Sequence, residues 1–131
     1  MAIDITLENL YFEDKEQREA AKSADQLHQL NIDTQKRISW VKQNLALIDE
    51  TEIWNCHYLA YLLHHGDIAD DYKLAHEYAS KAVAMGSRVT KWLYAATLDR
   101  WLISQGKKQK YGTQYQILNG EKVYFPSDGT I

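Results

Sequence analysis

The chain has 131 residues, a formal net charge of -3 and a single cysteine, Cys56. That length supports one domain with one core, and the scattering of basic among acidic residues excludes the charged stripe of a nucleic-acid backbone binder. A lone cysteine excludes an internal disulfide and a cysteine-built zinc site, which points to a reducing compartment.

No apolar run is long enough to span a membrane, and the N-terminus lacks the basic start and apolar stretch of a secretory leader, so a cytoplasmic location is expected. Four tryptophans and nine tyrosines predict a core built largely from aromatics, many with a polar tip that needs a partner.

The pattern is helical nearly throughout. Leu7, Leu10 and Tyr11, then Ala20, Ala21, Ala24, Leu27 and Leu30, follow helical spacing over about 7–30. Asn31-Ile32-Asp33 is expected to break the chain, with Asp33 or Thr34 as the N-cap of a second helix through Ile38, Val41 and Leu45. Asp49-Glu50-Thr51 should cap a third helix through Trp54, Tyr58, Tyr61 and Leu62, stopping at Gly66. Asp70-Asp71 open a fourth, with Leu74, Ala75, Tyr78, Ala79, Ala82 and Val83 on one stripe before Gly86. The fifth runs from about 88 to 105 and closes at Gly106.

Beyond it, Tyr115 to Leu118 and Lys122 to Phe125 flank Asn119-Gly120, the signal of a type I′ hairpin, and Pro126 ends the second strand. The expectation is one mainly α domain over 1–131: about five antiparallel helices and a small C-terminal β-hairpin at about 111–126. The third and fourth helices resemble one Sel1-type or tetratricopeptide-type hairpin, but no second copy follows at a fixed period.

Three segments could carry chemistry. The fifth helix is apolar on most sides yet contains Asp99 and Arg100; ionised groups there must be paired, or must line a pocket where Arg100 binds an anionic or carbonyl group and Asp99 orients it or acts as a base. His64-His65-Gly66-Asp67 closes the third helix. Helical spacing turns His65 inward and leaves His64 at the rim, and a helix C-terminus favours imidazolium, so His65 is expected near neutrality as acid or base, or as a cap of the last carbonyls. Gln109, Tyr111, Gly112, Thr113 and Gln114 place two amides, a phenol, a hydroxyl and a glycine where helix gives way to hairpin; they hold a ligand or pin the turn. Asp14 and Arg18 form an i, i+4 pair. His64, His65, Asp67, Asp70 and Asp71 match no zinc spacing, and no glycine-rich phosphate loop or nucleophile elbow is present, so no metal or cofactor is expected.

In this order, the segments resemble a family of small, mostly bacterial proteins grouped as a domain of unknown function and marked by a terminal Gln-x-Tyr-Gly-Thr-Gln. Asp14 and Arg18 match its first element, with Lys15 where the family has glutamine. His65 and Asp67 match the second, with His64 and Gly66 as departures. Asp99-Arg100 match the third, and Gln109, Tyr111, Gly112, Thr113 and Gln114 the fourth. The resemblance covers roughly 12–126. It implies no activity, but it does imply that these residues converge in one polar site.

Two functions stay open ahead of a weaker third, a metal-dependent hydrolase using the segment from His64 to Asp71. One is a pocket for a small polar or anionic molecule, extending to cofactor-independent hydrolysis or proton transfer, with His65 as acid or base, Asp67 or Asp14 orienting it, and Arg100 and Gln114 holding the ligand. The other is a helical protein-interaction module with Trp40, Trp54 or Trp92 lining a groove and the polar motifs as braces.

Overall fold

Helix entries and exits in this protein are written by short polar side chains, and they decide where the chain turns. The computed structural model describes residues 2–129. Asp4 caps α1 (Ile5–Ala20), accepting the amide of Leu7 at 2.9 Å, and the face that α1 buries carries Leu7, Tyr11 and Asp14. The chain then extends at Ala21.

Ser23 and Gln26 form a capping box: the hydroxyl accepts the Gln26 amide at 3.1 Å and the Gln26 carbonyl oxygen accepts the Ser23 amide at 3.0 Å. That box starts α2 (Ala24–Asn44), so the expected continuous helix over 7–30 is two helices, and the expected break at Asn31-Ile32-Asp33 lies inside the second. No glycine or proline interrupts that stretch, and tertiary contacts use its polar groups. Asp33 accepts from Gln17 at 2.8 Å and from Gln29 at 3.0 Å, and Thr34 accepts from Arg18 at 3.1 Å. Neither is an N-cap.

A 3-10 turn (Leu45–Leu47) leads to α3 (Ile53–His64), whose N-cap is Glu52, not the preceding Asp49-Glu50-Thr51. Asp49 closes a local turn instead, accepting the Thr51 amide at 2.9 Å. α3 is the hub: Cys56, Leu59, Ala60 and Leu63 are fully buried within it. It packs on α4 (Ala69–Ala84) through Ala75, Ala79 and Ala82, and α4 packs on α5 (Lys91–Ser104). Short connections make these three consecutive helices antiparallel neighbours.

At Gly66, between α3 and α4, a Cβ would run into the Asp71 side chain, so only glycine lets Asp71 pack there and take the Lys42 ammonium at 2.5 Å.

Strands β1 (Tyr115–Leu118) and β2 (Glu121–Tyr124) pair antiparallel, Tyr115 opposite Tyr124 and Leu118 opposite Glu121. Asn119 and Gly120 have φ of 53° and 80°, as a type I′ turn requires. All eight strand residues are exposed, so the hairpin lies outside the core. The mainly α architecture with a terminal hairpin agrees with the sequence. Among the described residues, no helix is long and apolar enough to cross a membrane.

Candidate functional site

The segment after α5 is built around one carboxylate. Asp99 is fully buried, and its oxygens accept the amides of Lys110 at 2.7 Å, Tyr111 at 2.8 Å and Thr113 at 3.0 Å, with the Thr113 hydroxyl at 2.7 Å. Gly112, at φ 76°, lets the chain curl around it. Gln109, also fully buried, does the same work one step further out. Its Nε2 donates to the carbonyls of Gln114 at 3.1 Å and Phe125 at 2.8 Å, and its Oε1 accepts the Gln114 amide at 2.9 Å. Asp99 and Gln109 therefore spend their polar atoms on backbone and hold the loop and hairpin to the helices.

Arg100, the next residue along α5, faces the other way. Its Nε donates to Gln114 Oε1 at 3.0 Å and its Nη1 to the carbonyl of His64 at 2.7 Å, while its guanidinium carbon sits 5.8 Å from the Tyr72 ring centre. Among the described residues no carboxylate forms an ion pair with it. Burial pulls its pKa below the ordinary arginine value, Tyr72 opposes that, and the Arg18 charge adds to it. Two of the five guanidinium N–H groups are committed, which leaves one on Nη1 and both on Nη2.

Both histidines at the end of α3 border this cation. Contrary to the sequence expectation, His64 is the interior one, 3% exposed, and its Nδ1 has no hydrogen-bond partner among the described residues. His65 is half-buried, its ring 4.9 Å from that of Tyr61. The expectation that a helix C-terminus holds His65 near neutrality also fails. Burial, then the charges of Arg18 and Arg100, pushes it down to about 3. His64 is pushed well below 6.5 by burial, Arg100, His65 and Arg18 in that order. Desolvation and two cations outweigh a helix dipole worth about 1 kcal/mol.

Around Arg100 lies a cleft of about 350 Å³, walled by Tyr61, His64 and His65 from α3 and by Trp92 and Leu93 from α5. Thr113, Gln114 and Tyr115 close it. Arg100, Gln114 and Tyr115 also border a neighbouring hollow that holds Asp67 and Tyr72.

A second polar cluster stands behind the Tyr61 wall. Asp14 is buried and accepts from Arg18 Nε and Nη2, from Arg37 Nη1 and from the Tyr61 hydroxyl, all at 3.0 Å. Arg37 further donates to Gln17 at 2.5 Å. Tyr111 turns away, its ring 6.5 Å from that of Tyr94.

Of the residues expected at a site, His65, Arg100, Thr113 and Gln114 face one cleft, and Asp67 flanks it. Asp99 and Gln109 form the scaffold beneath, Asp14 and Arg18 lie behind Tyr61, and Tyr111 is on another face. Sequence reasoning missed Arg37, although it falls beside Ile38 on the buried stripe of Leu30, Thr34 and Val41. It also missed the walls Tyr61 and Tyr115 and the inward turn of His64. Among the described residues, no group of three or more His, Cys, Asp or Glu side chains is placed to hold a metal ion. Comparison with known protein families, curated proteins and solved structures gives no match.

Proposed function

We propose that this protein binds a small anion in the Arg100 cleft. The observation that carries this reading is the guanidinium itself: it is half-buried, hydrogen-bonded only to neutral acceptors, and borders a cleft with N–H groups to spare. Arg18 and Arg37 both lean on Asp14, but among the described residues Arg100 has no such counter-charge. An anion supplies the missing charge through charge-assisted hydrogen bonds.

The same geometry extends to cofactor-independent acid–base chemistry. An anion beside His65 opposes the Arg18 and Arg100 charges, but burial is the larger cause of its lowered pKa, so the imidazole stays neutral and available as a base. The family resemblance belongs to this proposal. It is supported by the way the motif residues connect: Asp14 to Tyr61, Tyr61 to His65, Arg100 to Gln114, and Asp99 to the loop. A cytoplasmic setting goes with it, on the strength of the lone, buried Cys56, whose thiol burial pushes up to about 11.

Calorimetric titration with acetate and with inorganic phosphate tests the reading. The wild type binds at least one; Arg100→Gln abolishes binding and Arg100→Lys keeps part of it. Unaltered binding by folded Arg100→Gln refutes the proposal.

The interaction module has one observation in its favour, the exposed Ile117, Leu118, Val123 and Tyr124 of the hairpin. The likeness of α3 and α4 to a Sel1-type pair, with Ala75, Ala79 and Ala82 at close approach, goes with that second reading. The tryptophans do not share one groove: Trp92 lines the cleft, Trp54 stacks on Tyr58 at 6.0 Å, and Trp40 borders a separate hollow with Leu10.

A further inference from the structure

We propose that the ligand is a small carboxylate carrying an aromatic ring, its carboxylate on Arg100 and its ring among Trp92, His64 and Tyr115. This rests on the anion-binding reading and adds the chemical class.

Charge comes first. Among the described residues, Arg100 is the one side chain lining the cleft that carries a permanent charge, and the two imidazoles beside it are held neutral. No lysine and no second arginine lines the wall. One cation matches one negative charge, whereas a phosphate dianion leaves a charge uncompensated in a half-buried place. The guanidinium also offers the flat fork of N–H groups that fits the two oxygens of a carboxylate.

The opposite wall is aromatic. Trp92 is 61% exposed and lines the cleft with Leu93, so a large flat apolar surface borders it; Tyr115, 43% exposed, also lines it while its ring meets Tyr124 and the Lys122 ammonium. The His64 ring stands edge-on to Trp92, centroids 6.2 Å apart at 84°, and extends the same surface inward. A flat ring stacks or meets edges there; an aliphatic acid leaves the indole wet.

His64 joins the two ends. Its carbonyl accepts from Arg100, its ring touches Trp92, and its buried Nδ1 has no hydrogen-bond partner among the described residues. A ligand lying between indole and guanidinium runs along this residue, which lines the cleft between them. Trp92 and Arg100 are separated by about 12 Å of helix axis, a span that two long side chains and a ligand of phenylacetate or phenylpropionate size fill. The cleft of about 350 Å³ accommodates either.

The test is a titration of wild type, Trp92→Ala, Trp92→Phe and Arg100→Gln with acetate, phenylacetate, 3-phenylpropionate and inorganic phosphate. Folding of each variant is verified by circular dichroism. At least one aryl acid is expected to bind wild type about tenfold or more tighter than acetate. Trp92→Ala should erase most of that advantage while leaving acetate unchanged, and Trp92→Phe should retain it. Equal affinity for acetate and both aryl acids overturns the aromatic assignment while the anion site stands. Phosphate binding tighter than every carboxylate overturns it too. Undiminished acetate binding by Arg100→Gln sinks the anion site itself.

Discussion

Two aspartate–arginine clusters a few residues of side chain apart are wired in opposite ways. At Asp14, one buried carboxylate takes two arginines and a tyrosine, so both oxygens are occupied and the two cations share one counter-charge. At Asp99-Arg100 the two charges are neighbours in sequence but do not pair. The aspartate is consumed by three backbone amides and a threonine, and the arginine is left on neutral carbonyl oxygens. The first arrangement is a brace. The second converts loop folding into an uncompensated cation at the edge of a cleft, because the carboxylate that could have neutralised it is already used.

The comparison breaks hardest at the carboxylates. Asp99→Ala strands four donors around a fully buried position, and at roughly 1–1.5 kcal/mol each the loss is about 4–6 kcal/mol. Denaturant unfolding should read it, and amide exchange should show residues 110–113 opening first. Asp14→Ala leaves Arg37 buried without its anion and is expected to cost about 3–5 kcal/mol, with the damage in α1 and α2 instead. If both variants melt the same segment, the two clusters are one network and the contrast fails.

Acid sharpens the second half. His64 and His65 have folded pKa values below the unfolded 6.5, so the unfolded chain binds more protons as pH falls. Stability is complete above about 6.5 and declines toward about 3, by at most ~1.4 kcal/mol per pH unit for each histidine. Chemical denaturation across pH 4–7 (roughly the window below the unfolded value) should show the slope, and His65→Gln should flatten it.

The smallest effect is the most discriminating. Arg100→Gln removes an unpaired cation and two hydrogen bonds at once, so these oppose and stability should change by under about 1 kcal/mol. Arg37→Gln, which strips Asp14 of a partner, should cost more. Equal losses in the two melting curves would place Arg100 among the braces.

Much of this was legible along the chain, for local reasons. The Asn119-Gly120 turn and the glycine stops are conformational demands that a residue announces by itself. The Asp99-Arg100 pair stood out because charges inside an apolar helix must be accounted for. What could not be read was direction. One-third of a turn separates His64 from His65 along a helix (about 100°), and only the packing of α5 decides which ring is interior. The α1–α2 boundary was written in Ser23-x-x-Gln26, but the weak apolar spacing across it masked the signal. Arg37 drew no reading from the chain, because only the fold brings Asp14 of α1 to it.

Gln109 has a consequence at a distance. A single amide side chain clips both ends of the hairpin, at Gln114 and Phe125, to the loop that follows α5, and the hairpin's own side chains are bathed in solvent. Residues just past that clip, Gln114 and Tyr115, are also the floor and rim on which an occupant of the cleft would rest. Were the cavity filled, occupancy and hairpin attachment would share one free energy: an occupant would tighten the β-ribbon, and fraying the ribbon would loosen its hold.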